Sequence, residues 1–212
     1  MTVSAQLINV DSGNLNSIRN AFSLIGVAVR EVRLPAELND IDPIILPGVG
    51  AFGTIVRRLE KRGFFSALRA VPSRQQPLLG ICLGMQILAD YSEESPGVRG
   101  LGVIPGVVRR LPVLKRGARV PNIGWSNITG TNNAESAVYS LLDNKLYYHM
   151  HSYFFEPADP MITDATLPFN EHFVPVAISN GSITAVQFHP EKSQEDGLNF
   201  LEHWVHSAGA FA

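Results

Sequence analysis

The sequence predicts an α/β fold: a central, mostly parallel β-sheet flanked by helices, with a more β-rich second half, in one domain spanning residues 1–212. Three observations carry that prediction. Short apolar runs alternate with amphipathic segments through roughly the first 90 residues. Those runs lack polar alternation, which fits strands covered on both faces. Beyond about residue 95 the texture changes to shorter strand-like pieces divided by turn residues.

The first unit reads as strand, helix, strand: an apolar run from Gln6 to Val10, then Leu15, Ile18, Phe22 and Ile25 at helical spacing, then Val27 to Val32. A second unit holds the run Ile44-Ile45-Leu46, a glycine-rich turn and a helical segment from about Thr54 to Val71, with a break at Gly63. A third begins at Pro77-Leu78-Leu79-Gly80-Ile81-Cys82 and enters the helix-like Met85-Gln86-Ile87-Leu88-Ala89. Strand-like pieces follow at Gly100 to Leu111, Val120 to Ile128, Leu146 to Phe155, Val174 to Ile178 and Ile183 to Phe188. Turns are expected at Ser95-Pro96-Gly97, Gly130-Thr131-Asn132-Asn133 and Asn180-Gly181, the last as a hairpin. The stretch from Asp196 to His206 puts Leu198, Leu201, Trp204 and Val205 on one helical face, behind a capping box at Ser193-Gln194-Glu195-Asp196.

Composition narrows the function classes. Seventeen basic against nineteen acidic residues, with no long basic run, argue against a nucleic-acid partner. Met1 to Ala5 lacks a charged start followed by an apolar run, and no stretch approaches the roughly 18 apolar residues that span a membrane, so a cytoplasmic protein is expected. Cys82 is the only cysteine, which rules out an internal disulfide and multi-cysteine metal sites. The His149-x-His151 pair has no third ligand at motif spacing and reads as ordinary histidines on a strand edge. No metal or cofactor is expected. His172, His203 and His206 read as surface or helix-face residues, Trp204 as core, and Ser92-Glu93-Glu94-Ser95 as a solvated loop.

The lone thiol stands in Gly80-Ile81-Cys82-Leu83-Gly84, between an apolar strand and a helix. A nucleophile on a tight strand-to-helix turn needs small neighbours two residues to either side, because the backbone is strained and closely packed there. The following helix N-terminus favours thiolate over thiol. Cysteine in an apolar run is also simply a small buried side chain, so the turn and its glycines carry the chemical reading. A thiol needs a base, and the base an orienting group. His189 and Glu191, separated by Pro190, supply both, and in an extended chain they project to the same side. The turn Leu46-Pro47-Gly48-Val49-Gly50-Ala51-Phe52-Gly53 lets backbone N–H groups approach a ligand closely.

Together these motifs resemble the class I glutamine amidotransferases. Gly80 to Gln86 and Phe188 to Glu191 are similar to that family's nucleophile and His/Glu motifs. Pro47-Gly48-Val49-Gly50, Pro121-Asn122-Ile123-Gly124-Trp125 and His151-Ser152-Tyr153 resemble its branch of glutaminase subunits in imidazole glycerol phosphate synthases. The resemblance implies a flavodoxin-like class I glutaminase fold, with Cys82 as nucleophile, His189 as general base and acid, and Glu191 orienting His189. It implies an oxyanion hole from the Leu83 N–H and a backbone N–H among Gly48, Val49 and Gly50. Gln86, Glu94 and the backbone at Ser152 and Tyr153 would hold the glutamine substrate. Asn14, Trp125, Tyr148 and Lys192 would face a (β/α)8-barrel cyclase subunit in a heterodimer. That partner would use the ammonia to make imidazole glycerol phosphate and AICAR in histidine biosynthesis.

Two segments depart from the pattern. The family usually opens with D-Y-G-x-G-N, where this chain has Asn9-Val10-Asp11-Ser12-Gly13-Asn14, and Tyr147-Tyr148-His149-Met150 replaces the more usual Y-F-V-H ahead of the pocket. Two alternatives stay open at this stage: a paralogous glutaminase feeding a sugar-modifying synthase of surface polysaccharides, and a non-catalytic regulatory subunit.

Overall fold

The computed structural model describes residues 4–113, 119–131, 138 and 141–208. The opening strand β1 (Ser4–Ile8) leads through α1 (Leu15–Leu24) into β2 (Ala28–Val32), and β3 (Ile44–Gly48) follows. The long helical segment anticipated next is three helices: α2 (Phe52–Lys61), α3 (Phe64–Arg69) and α4 (Val71–Arg74). The first break falls at Gly63, whose left-handed φ of +79° suits glycine, and the second at Ala70, ahead of Pro72 in the first turn of α4. Strand β4 (Leu78–Cys82) runs directly into α5 (Leu83–Ile87).

The second half contributes β5 (Tyr91–Ser92), β6 (Gly106–Arg110), β7 (Asn122–Asn127), β8 (Thr129–Gly130), β9 (Leu146–His151), β10 (Tyr153–Pro157), β11 (Thr163–Phe169), β12 (His172–Asn180) and β13 (Ile183–Val186), before α6 (Gln194–Ser207). Among the described residues, eight strands form the main sheet in the order β2-β1-β3-β4-β13-β12-β11-β8. The first five are parallel, and β12, β11 and β8 add on antiparallel. This is the expected mostly parallel sheet. It separates two apolar layers. On one side Ala5, Leu7, Ile45 and Leu79 meet Phe22 of α1 and Phe200 and Trp204 of α6. On the other Ile8, Ile44, Leu46 and Leu78 meet Phe52, Val56 and Leu59 of α2 and Met85 of α5. Complete burial of such side chains contributes about 1.5–3 kcal/mol each.

Several elements differ from the sequence reading. Within Gly100 to Leu111 only β6 forms a strand. The stretch from Leu146 to Phe155 divides at Ser152: β9 pairs with β7 in a two-stranded ribbon, and β10 joins β6 and β5 in a separate three-stranded sheet. Strand β11 was not anticipated, because buried Asp164 and Pro168 interrupt its apolar pattern; the proline is accommodated beyond the short stretch, Ala165 and Thr166, that pairs with β8. The Asn180-Gly181 turn closes the β12–β13 hairpin as expected. The turn expected at Gly130 to Asn133 lies partly outside the described residues. Ser193 does not cap α6: its hydroxyl donates to the His189 carbonyl at 2.7 Å and accepts from the Tyr148 N–H at 3.0 Å, tying the chain before α6 to β9.

Candidate active site

Parallel α/β sheets bind ligands in the crevice beyond the carboxyl ends of their strands. Here the ends of β3, β4 and β13, neighbours in the sheet, deliver Gly48, Cys82 and the segment leading to His189. A pocket of about 200 Å³ opens at this edge, lined among others by Val49, Gly50, Cys82, Leu83, Gln86, Glu94, His151, Ser152, Tyr153 and His189.

Cys82 is the last residue of β4 and precedes α5 with φ +55° and ψ −111°, a conformation costly for a side chain with a Cβ. The surrounding glycines make it possible. A Cβ on Gly84 would lie 1.8 Å from the Leu46 carbonyl oxygen, and one on Gly80 would press on the backbone of Met85 at 3.1 Å. Gly48 is boxed in likewise, since a Cβ on it would lie 2.9 Å from the Leu83 Cβ, so it packs against the turn, while Val49 and Gly50 reach the pocket. Gly50, at φ +100°, has open space around it. The Val49 carbonyl accepts a 2.7 Å hydrogen bond from the Ser12 hydroxyl, which joins the β1–α1 loop to this turn. In that loop Asp11 takes φ +57°, a left-handed conformation that aspartate tolerates where the family motif has glycine.

The imidazole and carboxylate meet, though not through the extended chain expected. Residues Pro190–Lys192 form a 3-10 turn that brings Glu191 back under the ring, its Oε1 2.8 Å from His189 Nδ1, with both side chains almost fully buried. The His189 Nε2 has no close hydrogen-bond partner. Burial works against a charged ring, but the Cys82 sulfur and the Glu191 carboxylate outweigh it and raise the His189 pKa to about 10.

The remaining expected residues divide into two groups. Gln86, Glu94, Ser152 and Tyr153 all line the pocket. Glu94 also accepts from the Phe52 N–H at 2.6 Å and Ser95 from the Gly53 N–H at 3.0 Å, so the supposed solvated loop caps α2, and Ser92 is buried in β5. The Ser152 carbonyl is taken by the Leu111 N–H. Trp125, Tyr148 and Lys192 cluster on the outer face of the ribbon, with the indole 5.9 Å edge-on from the phenol and the ammonium 5.8 Å over it. Asn14 is the residue immediately before α1.

His149 and His151 correct the sequence reading most clearly. They stand on an edge strand as expected, but alternate inward on β9 and are buried. The Tyr153 carbonyl, 2.9 Å from His151 Nδ1, can only accept, so that nitrogen carries the proton. His151 Nε2 then accepts from His149 Nδ1 at 3.3 Å, which leaves the buried His149 Nε2 without a hydrogen and without a partner. Burial lowers both pKa values, His149 well below the usual imidazole range and His151 to about 4. Among the described residues no group of three or more His, Cys, Asp or Glu side chains could hold a metal ion, and no helix is long and apolar enough to cross a membrane. Sequence reasoning also passed over Gln187, whose side-chain amide lies 3.7 Å from the Cys82 sulfur; its signal was a polar residue inside an otherwise apolar run.

Fold and site define an α/β protein with a cysteine on a strained strand-to-helix turn and a buried histidine–glutamate pair at one sheet edge. The chain belongs to the class I glutamine amidotransferases: the family model described as "Glutamine amidotransferase class-I" matches residues 6–207. It is 38% identical over 205 residues to the imidazole glycerol phosphate synthase subunit HisH of Microcystis aeruginosa, covering 97% of this chain and 95% of that protein. It is 40% identical over 202 residues to the chloroplastic imidazole glycerol phosphate synthase hisHF of Arabidopsis thaliana, covering 94% of this chain and 33% of that longer protein. Among solved structures, one described as a glutamine amidotransferase superposes with a TM-score of 0.69 at 20% identity, covering 95% of this chain and 98% of that one, a likeness of fold.

Proposed function

We propose that the chain is the glutaminase subunit of an imidazole glycerol phosphate synthase, hydrolysing glutamine to glutamate and passing the ammonia to a cyclase partner in histidine biosynthesis. The near full-length match to the HisH subunit of Microcystis aeruginosa supports the pathway. The observation that carries the chemistry is the strained Cys82 turn and the His189–Glu191 pair opening into one pocket.

In this reading the Cys82 thiolate attacks the side-chain amide carbon of glutamine, and the oxyanion is held by the Leu83 N–H and an N–H from the Val49–Gly50 turn. The C–N bond breaks as His189, protonated at neutral pH by virtue of its raised pKa, gives its proton to the departing ammonia. His189 then takes a proton from water as it attacks the thioester, releasing glutamate and the thiolate. Glu191 fixes the ring through Nδ1 throughout. One oxyanion donor is typically worth about 2.7–4 kcal/mol of barrier, so the position of the Val49–Gly50 turn decides whether the site is on. A Cβ at Gly50 would meet nothing within 4 Å, whereas one at Gly48 would press on Leu83, which supports the Val49–Gly50 peptide as the part that reorients.

The cyclase partner docks on the outer face of the β7–β9 ribbon. Ile123 pairs with Met150 and Trp125 with Tyr148 across it, giving an exposed apolar strip, and Ile123 and Met150 also line the pocket mouth. A strip of this kind at a site mouth suits a partner that receives the product without release to water. Glutamine turnover measured alone and with the cyclase and its acceptor tests the arrangement. Strong stimulation is expected; equal rates would remove the gating role of the partner.

A further inference from the structure

Gln187 is completely buried between Val186 and Phe188, just beyond the end of β13. Burying a primary amide is unfavourable unless its groups are hydrogen-bonded, and here they are. Its Oε1 accepts from Gln86 Nε2 at 2.9 Å, and its Nε2 donates to Cys82 Sγ at 3.7 Å. Only one orientation of the two amides is self-consistent. The Tyr153 carbonyl, which cannot donate, lies 3.0 Å from Gln86, so the Gln86 atom facing it is the nitrogen. The second hydrogen of that NH2 group points at Gln187 and requires its oxygen. The Gln187 NH2 group is thereby left facing the sulfur, because turning it would set two NH2 groups against each other.

We propose that Gln187 is a dedicated hydrogen-bond donor to the Cys82 thiolate, aimed by Gln86 and the Tyr153 carbonyl. A donor gains strength when its acceptor is ionised, so the contact favours thiolate over thiol. It approaches the sulfur independently of His189, which keeps the thiolate populated while the imidazole is exchanging protons with ammonia and water. Two buried glutamines where apolar side chains would pack without polar cost are the residue of that function. The inference rests on Cys82 as the nucleophile, which turnover of a Cys82→Ala chain tests separately.

Cys82 is the only cysteine, so alkylation by iodoacetamide reads this sulfur alone, whether or not glutamine is turned over. In folded Gln187→Leu the inflection of the alkylation profile moves up by about one pH unit and rates at pH values below it fall about tenfold, the size expected for one charge-assisted hydrogen bond. Gln187→Glu, which keeps the shape but turns acceptors toward the sulfur, falls further. The other titratable groups around the sulfur, His189 with Glu191 behind it, His151, Glu94 and Tyr153, are the same in all three chains, and only Gln187→Glu adds a carboxyl. A purely structural glutamine would lower the melting temperature and leave the inflection where it was; that result in either folded variant overturns the proposal. In the unsubstituted chain the side-chain amide resonances of Gln187 shift with the same midpoint as alkylation. Resonances that stay fixed through that range overturn it as well.

Discussion

The β3–β4 edge and the β7–β9 ribbon face each other across one pocket and hold their side chains by different means. At the edge, position is enforced by the backbone: Cys82 sits in a strained turn because Gly48, Gly80 and Gly84 leave no space for anything else. In the ribbon, position is enforced by side chains: His149, His151 and the Tyr153 carbonyl form a hydrogen-bonded chain on its inner face, while aromatic residues occupy the outer face. A backbone constraint fails with one added methyl group. A side-chain network is graded, which is why the ribbon can carry His149 where the family motif differs and still shape the pocket.

The largest effect that would break this contrast is at the edge. Gly84→Ala forces a Cβ to within 1.8 Å of the Leu46 carbonyl and should cost roughly 3 kcal/mol or more of stability, read by denaturant unfolding. A mild loss would mean the turn is not the rigid element described.

The ribbon should respond to acid instead. His149 and His151 are held neutral with folded pKa values below the unfolded value near 6.5, so their stability contribution is complete above about pH 6.5 and is lost as pH falls below it. For His151 the loss is on the order of 3 kcal/mol by the time pH reaches its folded pKa of about 4. His189 is silent below about pH 6.5, where it is protonated in both states and its contribution is complete; that contribution fades as pH rises from about 6.5 to about 10. Unfolding free energies measured from pH 7 to 4 should therefore fall more steeply for this chain than for His149→Phe. The variant removes the unpartnered Nε2 but also leaves the buried His151 Nε2 without its donor, so a loss of about 1–3 kcal/mol is expected at pH 7. Equal acid slopes would sever the ribbon's histidines from its stability.

A smaller effect concerns the outer face. Trp125, 43% exposed against Tyr148, should behave as an interface anchor, and Trp125→Ala should weaken cyclase binding by about 2 kcal/mol while partner-free glutamine hydrolysis is unchanged. Unchanged affinity by calorimetry would move the docking face elsewhere.

The same contrast governs what the sequence disclosed. Backbone requirements leave marks: Gly80-Ile81-Cys82-Leu83-Gly84 announced a tight turn because few residues tolerate it, and the unalternating runs of β1, β3 and β4 announced a buried parallel sheet. Side-chain networks leave few. His149 and His151 alternate with Tyr148 and Met150, so nothing in the spacing says which set faces inward, and only the packing of β9 against Phe188 settles it. Glu191 reaches His189 through a 3-10 turn that Pro190 permits but does not specify. Ser193 looked like a cap because Ser-x-x-Asp precedes an apolar helix, yet its hydroxyl is more useful between His189 and Tyr148.

The account stands most directly on glutamine hydrolysis by Cys82→Ala in complex with the cyclase, measured beside synthesis from added ammonia. It predicts that hydrolysis disappears while partner binding and ammonia-dependent synthesis persist. Glutamine hydrolysis retained in that complex would contradict it.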